Sequence, residues 1–165
     1  MPTNAEWEYT CRAGTETRYF GGDDFESLRR TANVADVQYY EALTGLEIPP
    51  EAIKQGSVAG VMAAHKDGFA YTSPVGEFAA NAFGLHDVHG NASTWCLDRY
   101  GDDYYSKSPS ENPLGPEQGE RRVVRGGGFP TYPAYCRSAA RFGYLPSVRL
   151  MFIGFRVVRE ISKSD

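Results

Sequence analysis

The sequence lacks any run of about 18 consecutive apolar residues, so we expect no membrane-spanning helix. Residues 1–9 contain neither a basic nor an apolar stretch, so no secretory signal peptide is visible. The localisation is therefore left open, with the cytoplasm as the default. Basic residues are also few: 17 Lys and Arg stand against 21 Asp and Glu, for a net charge of −4. Without a basic field the chain is not expected to bind nucleic acid, and we expect Arg121, Arg122 and Arg125 to flank a strand on a solvated face.

Cysteine is scarce, with three residues and no CxxC pair: Cys11, Cys96 and Cys136. This number argues against a disulfide scaffold or a zinc knuckle, so we expect buried free thiols, with one disulfide and a leftover thiol as the alternative. His86 and His89 are three residues apart, but no carboxylate or third histidine accompanies them at a metal-site spacing. We expect both to be ordinary polar residues of a turn. The glycines at 126–128 are not followed by a lysine and a helix start, which excludes a phosphate-binding P-loop.

Turn-forming and aromatic residues are abundant, with 18 Gly, 10 Pro, 11 Tyr and 9 Phe. This composition predicts a loop-rich fold with short strands and few helices. Thr3 and Glu6 have capping-box spacing, which predicts a helix from there to about Gly14. Further helices are expected over 24–32 and 51–55, and strands over 18–20, 94–98, 122–125 and 153–158.

Four segments occur in an order that is informative as a set: PTNAEWEY at 2–9, NAFGLHDVHGN at 81–91, RVVRGG at 122–127 and IGFR at 153–156. Together they resemble the formylglycine-generating enzyme, or sulfatase-modifying factor, domain family over about residues 2–158. The resemblance implies an α+β domain with a C-type-lectin-like fold. Family members usually carry a strand and a helix before the first motif, which here opens the chain. We therefore expect 1–165 to form a single domain without those two elements. The apolar surface that they would otherwise cover would then be exposed and would favour self-association.

The family's enzymes oxidise a substrate cysteine with copper(I) and O₂, using two cysteines five residues apart after a Gly-Gly-Ser motif. Cys136 matches the second cysteine, but Thr131 stands at the first position and Gly128 at the serine. A threonine hydroxyl does not hold copper(I), which selects soft sulfur ligands. We therefore expect neither copper nor oxidase activity. The alternative is an oxidase acting on a protein cysteine, or a relative with altered chemistry, in which Cys136 is the catalytic candidate.

A second departure lies in the central motif, where the family has Trp-Glu and this chain has Ser93 and Thr94. The resemblance also implies structural calcium sites with oxygen ligands. The first set of matching positions is Asn33, Val34, Asp67 and Phe69. The second, weaker set is Asp87, Gly90 and Ala92, because its glutamate is replaced by Thr94. The alternative for Asp67 is a solvated loop aspartate beside a turn glycine.

In the segment 125–158, positions that match the family framework are interspersed with seventeen others between 128 and 152. This layout is similar to the variable region of diversity-generating retroelement proteins, which use the same fold as a display scaffold. Their variable codons arise from randomised adenines and cannot encode Lys, Glu, Gln, Trp or Met; only Met151 breaks that rule here. A buried apolar stretch would exclude Lys and Glu as well, so a structural module without ligand is a further alternative.

Tyrosine and phenylalanine supply rigid contact area, and serine and threonine supply adaptable hydrogen bonds, as in antibody loops. The sequence therefore predicts a non-catalytic domain that binds a protein or a glycan through 128–152. The alternative for each aromatic residue is that it packs in the core. The predicted ligand-binding residues are Phe129, Thr131, Tyr132, Tyr135, Phe142, Tyr144, Ser147, Leu150 and Phe152.

Overall fold

The structure is a computed structural model that describes residues 1–51 and 63–159. Its α-helices are α1 (Asn4–Arg12) and α2 (Val37–Thr44). Its strands are β1 (Ala32–Asn33), β2 (His89–Gly90), β3 (Ser93–Arg99), β4 (Arg122–Arg125), β5 (Phe142–Tyr144) and β6 (Ile153–Gly154). Short 3₁₀ helices cover Phe25–Arg30, Tyr104–Ser106 and Pro133–Tyr135. The expected α+β composition, with few helices and short strands, is confirmed. Within the described residues, no helix is long and apolar enough to cross a membrane.

Helix α1 begins and ends where its sequence predicts. The hydroxyl of Thr3 accepts a hydrogen bond from the Glu6 N–H at 3.2 Å, and the Glu6 carboxylate accepts one from the Thr3 N–H at 2.7 Å. These two bonds form a capping box, which satisfies N–H groups that a helix start otherwise leaves free. The helix ends at Ala13, whose backbone is left-handed. Trp7 and Cys11, four residues apart on one face of α1, are buried against the sheet.

A four-stranded mixed sheet has the order β5-β4-β3-β6, and β1 pairs with β2 in a separate parallel pair. Strands β4 and β5 are antiparallel, as are β3 and β4, whereas β3 and β6 run parallel. The chain therefore leaves the sheet after β4, returns as β5 at one edge, and rejoins at the other edge as β6. The residues from 126 to 152 are held by sheet strands at both ends and in the middle.

Some predicted elements differ from the structure. The strands over 94–98 and 122–125 are confirmed, but within 153–158 only Ile153–Gly154 forms a strand. The segment 18–20 makes a single isolated bridge, between Tyr19 and Gly22, and the expected helix over 24–32 is a 3₁₀ helix, Phe25–Arg30. The helix predicted over 51–55 lies almost entirely outside the described residues.

Arg125 is buried, which corrects the prediction that it flanks a solvated strand. It is 0% exposed, whereas Arg121 is exposed and Arg122 is partly buried. Its guanidinium lies 4.8 Å from the centre of the Trp7 ring and pairs with the Glu8 carboxylate. Alternation along β4 turns Arg125 towards α1, and a buried guanidinium is tolerated there because it is paired.

His89 is also buried, contrary to the prediction of a turn histidine; His86 is exposed, as expected. The Nδ1 atom of His89 lies 2.8 Å from the Cys136 carbonyl, and Nε2 accepts a hydrogen bond from the Phe20 N–H at 3.2 Å. These contacts require the neutral ring with its proton on Nδ1. Burial lowers the pKa of His89 from 6.5 to about 4. His89 thus connects β2 to the backbone of the C-terminal segment.

Candidate functional site

The C-terminal segment forms a surface pocket of about 230 Å³, called here the C-terminal pocket. Its lining residues are Ser93, Pro130, Thr131, Tyr132, Tyr135, Phe142, Tyr144 and Phe152. All except Ser93 come from the segment 130–152, and none carries a charge. The pocket therefore brings together six of the nine predicted ligand-binding residues.

The other three predicted residues lie elsewhere. Ser147 and Leu150 are exposed outside the pocket lining, with Leu150 38% exposed. Phe129 is 2% exposed, and its ring packs edge-on against Tyr39 and Tyr71, with centroids 5.9 and 5.8 Å away. Phe129 is thus a core residue that anchors the start of the segment. For this residue the alternative stated above, that the aromatic side chain packs in the core, is the correct one.

Strand pairing positions one wall of the pocket. In the antiparallel register, Phe142 lies opposite Val124 and Tyr144 lies opposite Arg122. Because side chains alternate along a strand, Phe142 and Tyr144 share one face of the sheet. Gly143 faces the other way, where an added Cβ would come within 2.6 Å of the Tyr100 ring. The glycine therefore allows β5 to lie close to Tyr100 while its two aromatic neighbours face the pocket.

A second part of the pocket wall is a turn anchored at Pro133. Pro133 is buried and begins the 3₁₀ helix, and its carbonyl accepts hydrogen bonds from the Tyr19 hydroxyl at 2.8 Å and from the Cys136 N–H at 2.9 Å. On either side of this anchored proline, Tyr132 and Tyr135 are 42% and 53% exposed. The turn therefore presents two tyrosine side chains at the pocket rim on a fixed backbone, so little backbone entropy remains to be lost on binding.

Ser93 forms the part of the lining that comes from β3, and the sequence indicated its role only indirectly. It is 3% exposed, and its N–H donates to the Phe152 carbonyl at 2.8 Å. This is the position at which the family pattern has tryptophan. A serine in place of a bulky ring leaves space within the pocket that Phe142 and Phe152 also line. The contribution of Ser93 depends on the parallel pairing of β3 with β6, which local sequence does not indicate.

Cys136 has its thiol turned into the protein. The residue is 0% exposed, and its S–H donates to the Thr131 and Tyr132 carbonyls at 3.7 Å each. Burial raises the pKa of this thiol well above its usual range, so it is a neutral donor. Gly127, with φ of +73°, leaves room for it, because an added Cβ would lie 2.5 Å from the sulfur.

The two other positions of the copper motif have non-sulfur roles. The Thr131 hydroxyl accepts a hydrogen bond from the Gly128 N–H at 2.9 Å and so closes the turn. A Cβ at Gly128 would lie 2.7 Å from the Cβ of Phe152. A serine at that position is therefore incompatible with Phe152 as it packs here.

The first predicted calcium position brings its residues together around Asp67. Its carboxylate accepts hydrogen bonds from the N–H groups of Val34 at 3.3 Å and Phe69 at 2.9 Å. The carboxylate of Asp36 accepts from the Asp67 N–H at 2.7 Å. Burial and the neighbouring charge of Asp36 raise the pKa of Asp67 to about 7. The Asn33 carbonyl accepts from the Asn91 N–H at 2.7 Å, while its buried side-chain oxygen has no partner among the described residues.

Of the three residues in the second predicted calcium site, only two line the same cavity. Asp87 and Ala92 line a separate cavity of about 440 Å³, whereas Gly90 is not part of its lining. One Asp87 carboxylate oxygen accepts from the Gly76 N–H at 2.9 Å, and the other is buried without a partner in the described part of the chain. Arg156 lines the same cavity and donates to the Asp87 carbonyl at 2.7 Å. A guanidinium at this point opposes a second cation.

Comparison with known proteins finds similarity both to formylglycine-generating enzymes and to a variable protein, the two kinds of protein that the sequence resembles. The sulfatase-modifying factor enzyme 1-like domain matches residues 1–161. A formylglycine-generating enzyme from Streptomyces coelicolor is 34% identical over 97% of this chain and 46% of its own length. The corresponding enzyme from Bos taurus is 33% identical over 97% of this chain and 38% of its own. The chain thus spans about half the length of the curated relatives it matches, or less.

Among solved structures, Treponema denticola variable protein 1 superposes with a TM-score of 0.69 at 28% identity, covering 94% of this chain and 45% of that one. PvdO from Pseudomonas aeruginosa also has a TM-score of 0.69, at 29% identity, covering 94% and 50%. These neighbours confirm the expected C-type-lectin-like fold of the formylglycine-generating-enzyme type. With the domain match over nearly the whole chain, they show that this protein belongs to the sulfatase-modifying factor enzyme 1-like domain family.

Proposed function

We propose that this chain is a non-catalytic ligand-binding domain whose ligand, a protein or a glycan, occupies the C-terminal pocket. The observation that carries the proposal is the pocket itself, which is built almost wholly from 130–152 and rimmed by exposed aromatic side chains. Tyrosine contributes large contact area at low conformational-entropy cost, which suits a binding surface. The likeness to a variable protein is compatible with such a role.

The hydrogen bonds that hold the pocket-forming segment in place support the proposal, because they would tolerate exchange of the side chains that the segment displays. Arg125 donates to the Ala140 carbonyl at 2.6 Å and to the Ser138 carbonyl at 2.9 Å. His89 and the Pro133 carbonyl contact main-chain atoms of Cys136. These bonds reach main-chain atoms of the segment, so they do not depend on which side chains the pocket presents.

The named enzymes among the relatives favour an oxidase as the second candidate function. The chemistry of the residues present does not fit its copper ion, because one thiol and one hydroxyl replace two thiolates. The thiol of Cys136 is moreover neutral and turned inward. We therefore derive no copper-dependent step for this chain.

We also propose that Asp67 contributes to a structural calcium site. Two adjacent carboxylates, those of Asp36 and Asp67, share a partly buried space, and a divalent cation would offset their repulsion. The unpartnered side-chain oxygen of Asn33 adds a neutral oxygen of the type that calcium accepts. Such an ion would connect β1 to the loop at 67–69 and so stabilise the side of the domain on which Phe129 packs.

A substitution that fills the pocket tests the binding proposal. Ser93→Trp places a large ring where the family pattern has one, while Tyr9→Ala removes a 67%-exposed tyrosine from α1, away from the pocket. Binders are selected against the unmodified protein from a random peptide display library and, separately, from a glycan array. The proposal expects selected binders to lose affinity for Ser93→Trp and to keep it for Tyr9→Ala. Binders that recognise all three proteins equally would refute it.

A further inference from the structure

The lining of the C-terminal pocket limits the chemistry of its occupant. At about 230 Å³ the pocket is smaller than the roughly 300–1,000 Å³ typical of sites that enclose a whole small molecule. It suits one bulky side chain. Phe142, Tyr144 and Phe152 supply aromatic surface, and no carboxylate or amide side chain is present in the lining. A sugar ring would find only hydroxyl groups as polar partners here, without the carboxylates or amides that could compensate more fully for desolvating its own hydroxyl groups.

The charges of the segment that forms most of the pocket are of one sign. The segment 121–158 contains seven arginines and no Asp, Glu or Lys, so all 21 acidic residues of the chain lie outside it. Arg137 and Arg149 belong to the pocket-forming stretch and are exposed. Neither forms a salt bridge within the part of the chain that the structure describes. Each lies within about three residues of a pocket-lining residue in the sequence, so both cations are open to a partner that occupies the pocket.

For a partner in contact with the pocket, the nearby charges matter more than the net charge of the chain. The chain as a whole is acidic, at −4, which would repel an acidic partner at long range. At physiological ionic strength, however, exposed charges are screened beyond about 8 Å. A partner seated in the pocket therefore interacts mainly with the charges closest to it, and the segment that forms most of the pocket contributes only arginines.

From these two features we infer that the occupant is an acidic protein segment that inserts one bulky apolar side chain into the pocket. Its carboxylates lie against Arg137 and Arg149, whose planar guanidinium groups match carboxylate geometry. Phenylalanine or leucine is the anchor that fits the aromatic walls and the size of the pocket. This inference rests on the proposed binding function, and it selects a protein over a glycan.

Synthetic peptides of defined sequence test it. The probe is a seven-residue peptide with a central phenylalanine between Asp-Glu pairs and terminal glycines, measured by fluorescence anisotropy. One matched peptide replaces the phenylalanine with alanine, and another replaces the acidic residues with lysines. We expect the alanine peptide to bind about 10- to 100-fold more weakly, the effect of losing one buried aromatic side chain. The lysine peptide should not bind, and added salt should weaken the acidic peptide.

Protein variants locate the contact. Ser93→Trp should abolish binding of the phenylalanine peptide. Arg137→Glu should weaken binding about tenfold or more through charge reversal near the pocket, whereas Arg30→Glu makes the same charge change at an exposed residue that does not line the pocket and should leave binding unchanged. Thermal unfolding of each variant confirms that it is folded.

The results that would overturn the inference alone differ from those that would overturn the proposed function as well. Equal affinity for the phenylalanine and alanine peptides, or binding of the lysine peptide, would remove the apolar anchor or the charge match. A glycan from the array that binds the unmodified protein but not Ser93→Trp would also overturn it, while leaving the proposed binding function in place. If neither peptides nor glycans discriminate the unmodified protein from Ser93→Trp, both the inference and the proposed function fail.

Discussion

The buried guanidinium of Arg125 provides the most direct test of how the C-terminal segment is held. Substitution of Arg125→Met keeps a long apolar side chain against Trp7 but removes the charge and all donors. The carbonyls of Ser138 and Ala140 then lose their partner, as does one oxygen of the Glu8 carboxylate. Glu8 keeps its salt bridge to Arg12 at 2.9 Å, so its charge is not stranded.

The expected loss follows from these contacts. Each buried carbonyl left without a donor costs about 1–3 kcal/mol. Two such carbonyls give about 2–6 kcal/mol, and we take the middle of that range, about 3–5 kcal/mol, as the expected destabilisation of Arg125→Met. For a domain of this size that corresponds to a fall in Tm of roughly 6–20 °C.

Urea unfolding measures the free energy of unfolding of each protein, and the dependence of that free energy on urea concentration should be the same in both. Hydrogen exchange of the amides at 138–140 measures local release of the segment. Arg121→Met is the matched control, because Arg121 is exposed at the start of the same arginine-rich stretch and should change stability by less than about 0.5 kcal/mol. A loss below about 1 kcal/mol for Arg125→Met, with unaltered exchange at 138–140, would show that Arg125 does not hold the segment.

Three other outcomes are expected. Because burial lowers the pKa of His89 to about 4 while the unfolded chain keeps 6.5, protonation favours unfolding. Its stabilisation is fully present above pH 6.5 and declines by about 3 kcal/mol as pH falls to 4. Unfolding free energies across that range should lose this slope in His89→Gln, and an identical slope would contradict the assignment. Thr131→Cys should raise copper(I) affinity about tenfold or more in competition with a chromogenic chelator, because it supplies a second thiol near Cys136; an unchanged affinity would mean that position 131 does not reach that sulfur. Calcium at about 100 times its Kd should stabilise the unmodified protein by about 2.7 kcal/mol in unfolding experiments, and Asp67→Asn should lose most of that gain while exposed Asp24→Asn keeps it. Equal stabilisation of all three proteins would exclude Asp67 as a ligand.

Local sequence signals predicted the elements whose stabilising contacts are near in sequence. The capping box of Thr3 and Glu6 spans three residues, so the start of α1 was predictable from the sequence. The expected strand over 153–158 was mostly wrong, because pairing with β3 is limited to Ile153 and Gly154. The extent of that strand depends on a parallel partner about sixty positions earlier in the chain, which alternation within the segment does not report.

The burial of polar residues depended on distant partners. Arg125 is buried because Glu8, 117 residues away, and the carbonyls of a later loop satisfy its donors. His89 is buried because the Cys136 carbonyl, 47 residues away, satisfies its ring. Taken by itself, each residue is more stable in water, so only the assembled fold makes its burial favourable.

Residue identity alone established that the copper motif is incomplete, because a threonine at position 131 contributes no thiolate in any conformation. The four motifs and their order likewise predicted the family and the lectin-like fold. Tertiary structure decided which aromatic residues of 128–152 are displayed: Phe129 is enclosed by Tyr39 and Tyr71, whereas Tyr132 and Tyr135 project from an anchored turn. The segment has no helical or strand periodicity that would sort these side chains, so their exposure is set by packing against residues far away in the sequence.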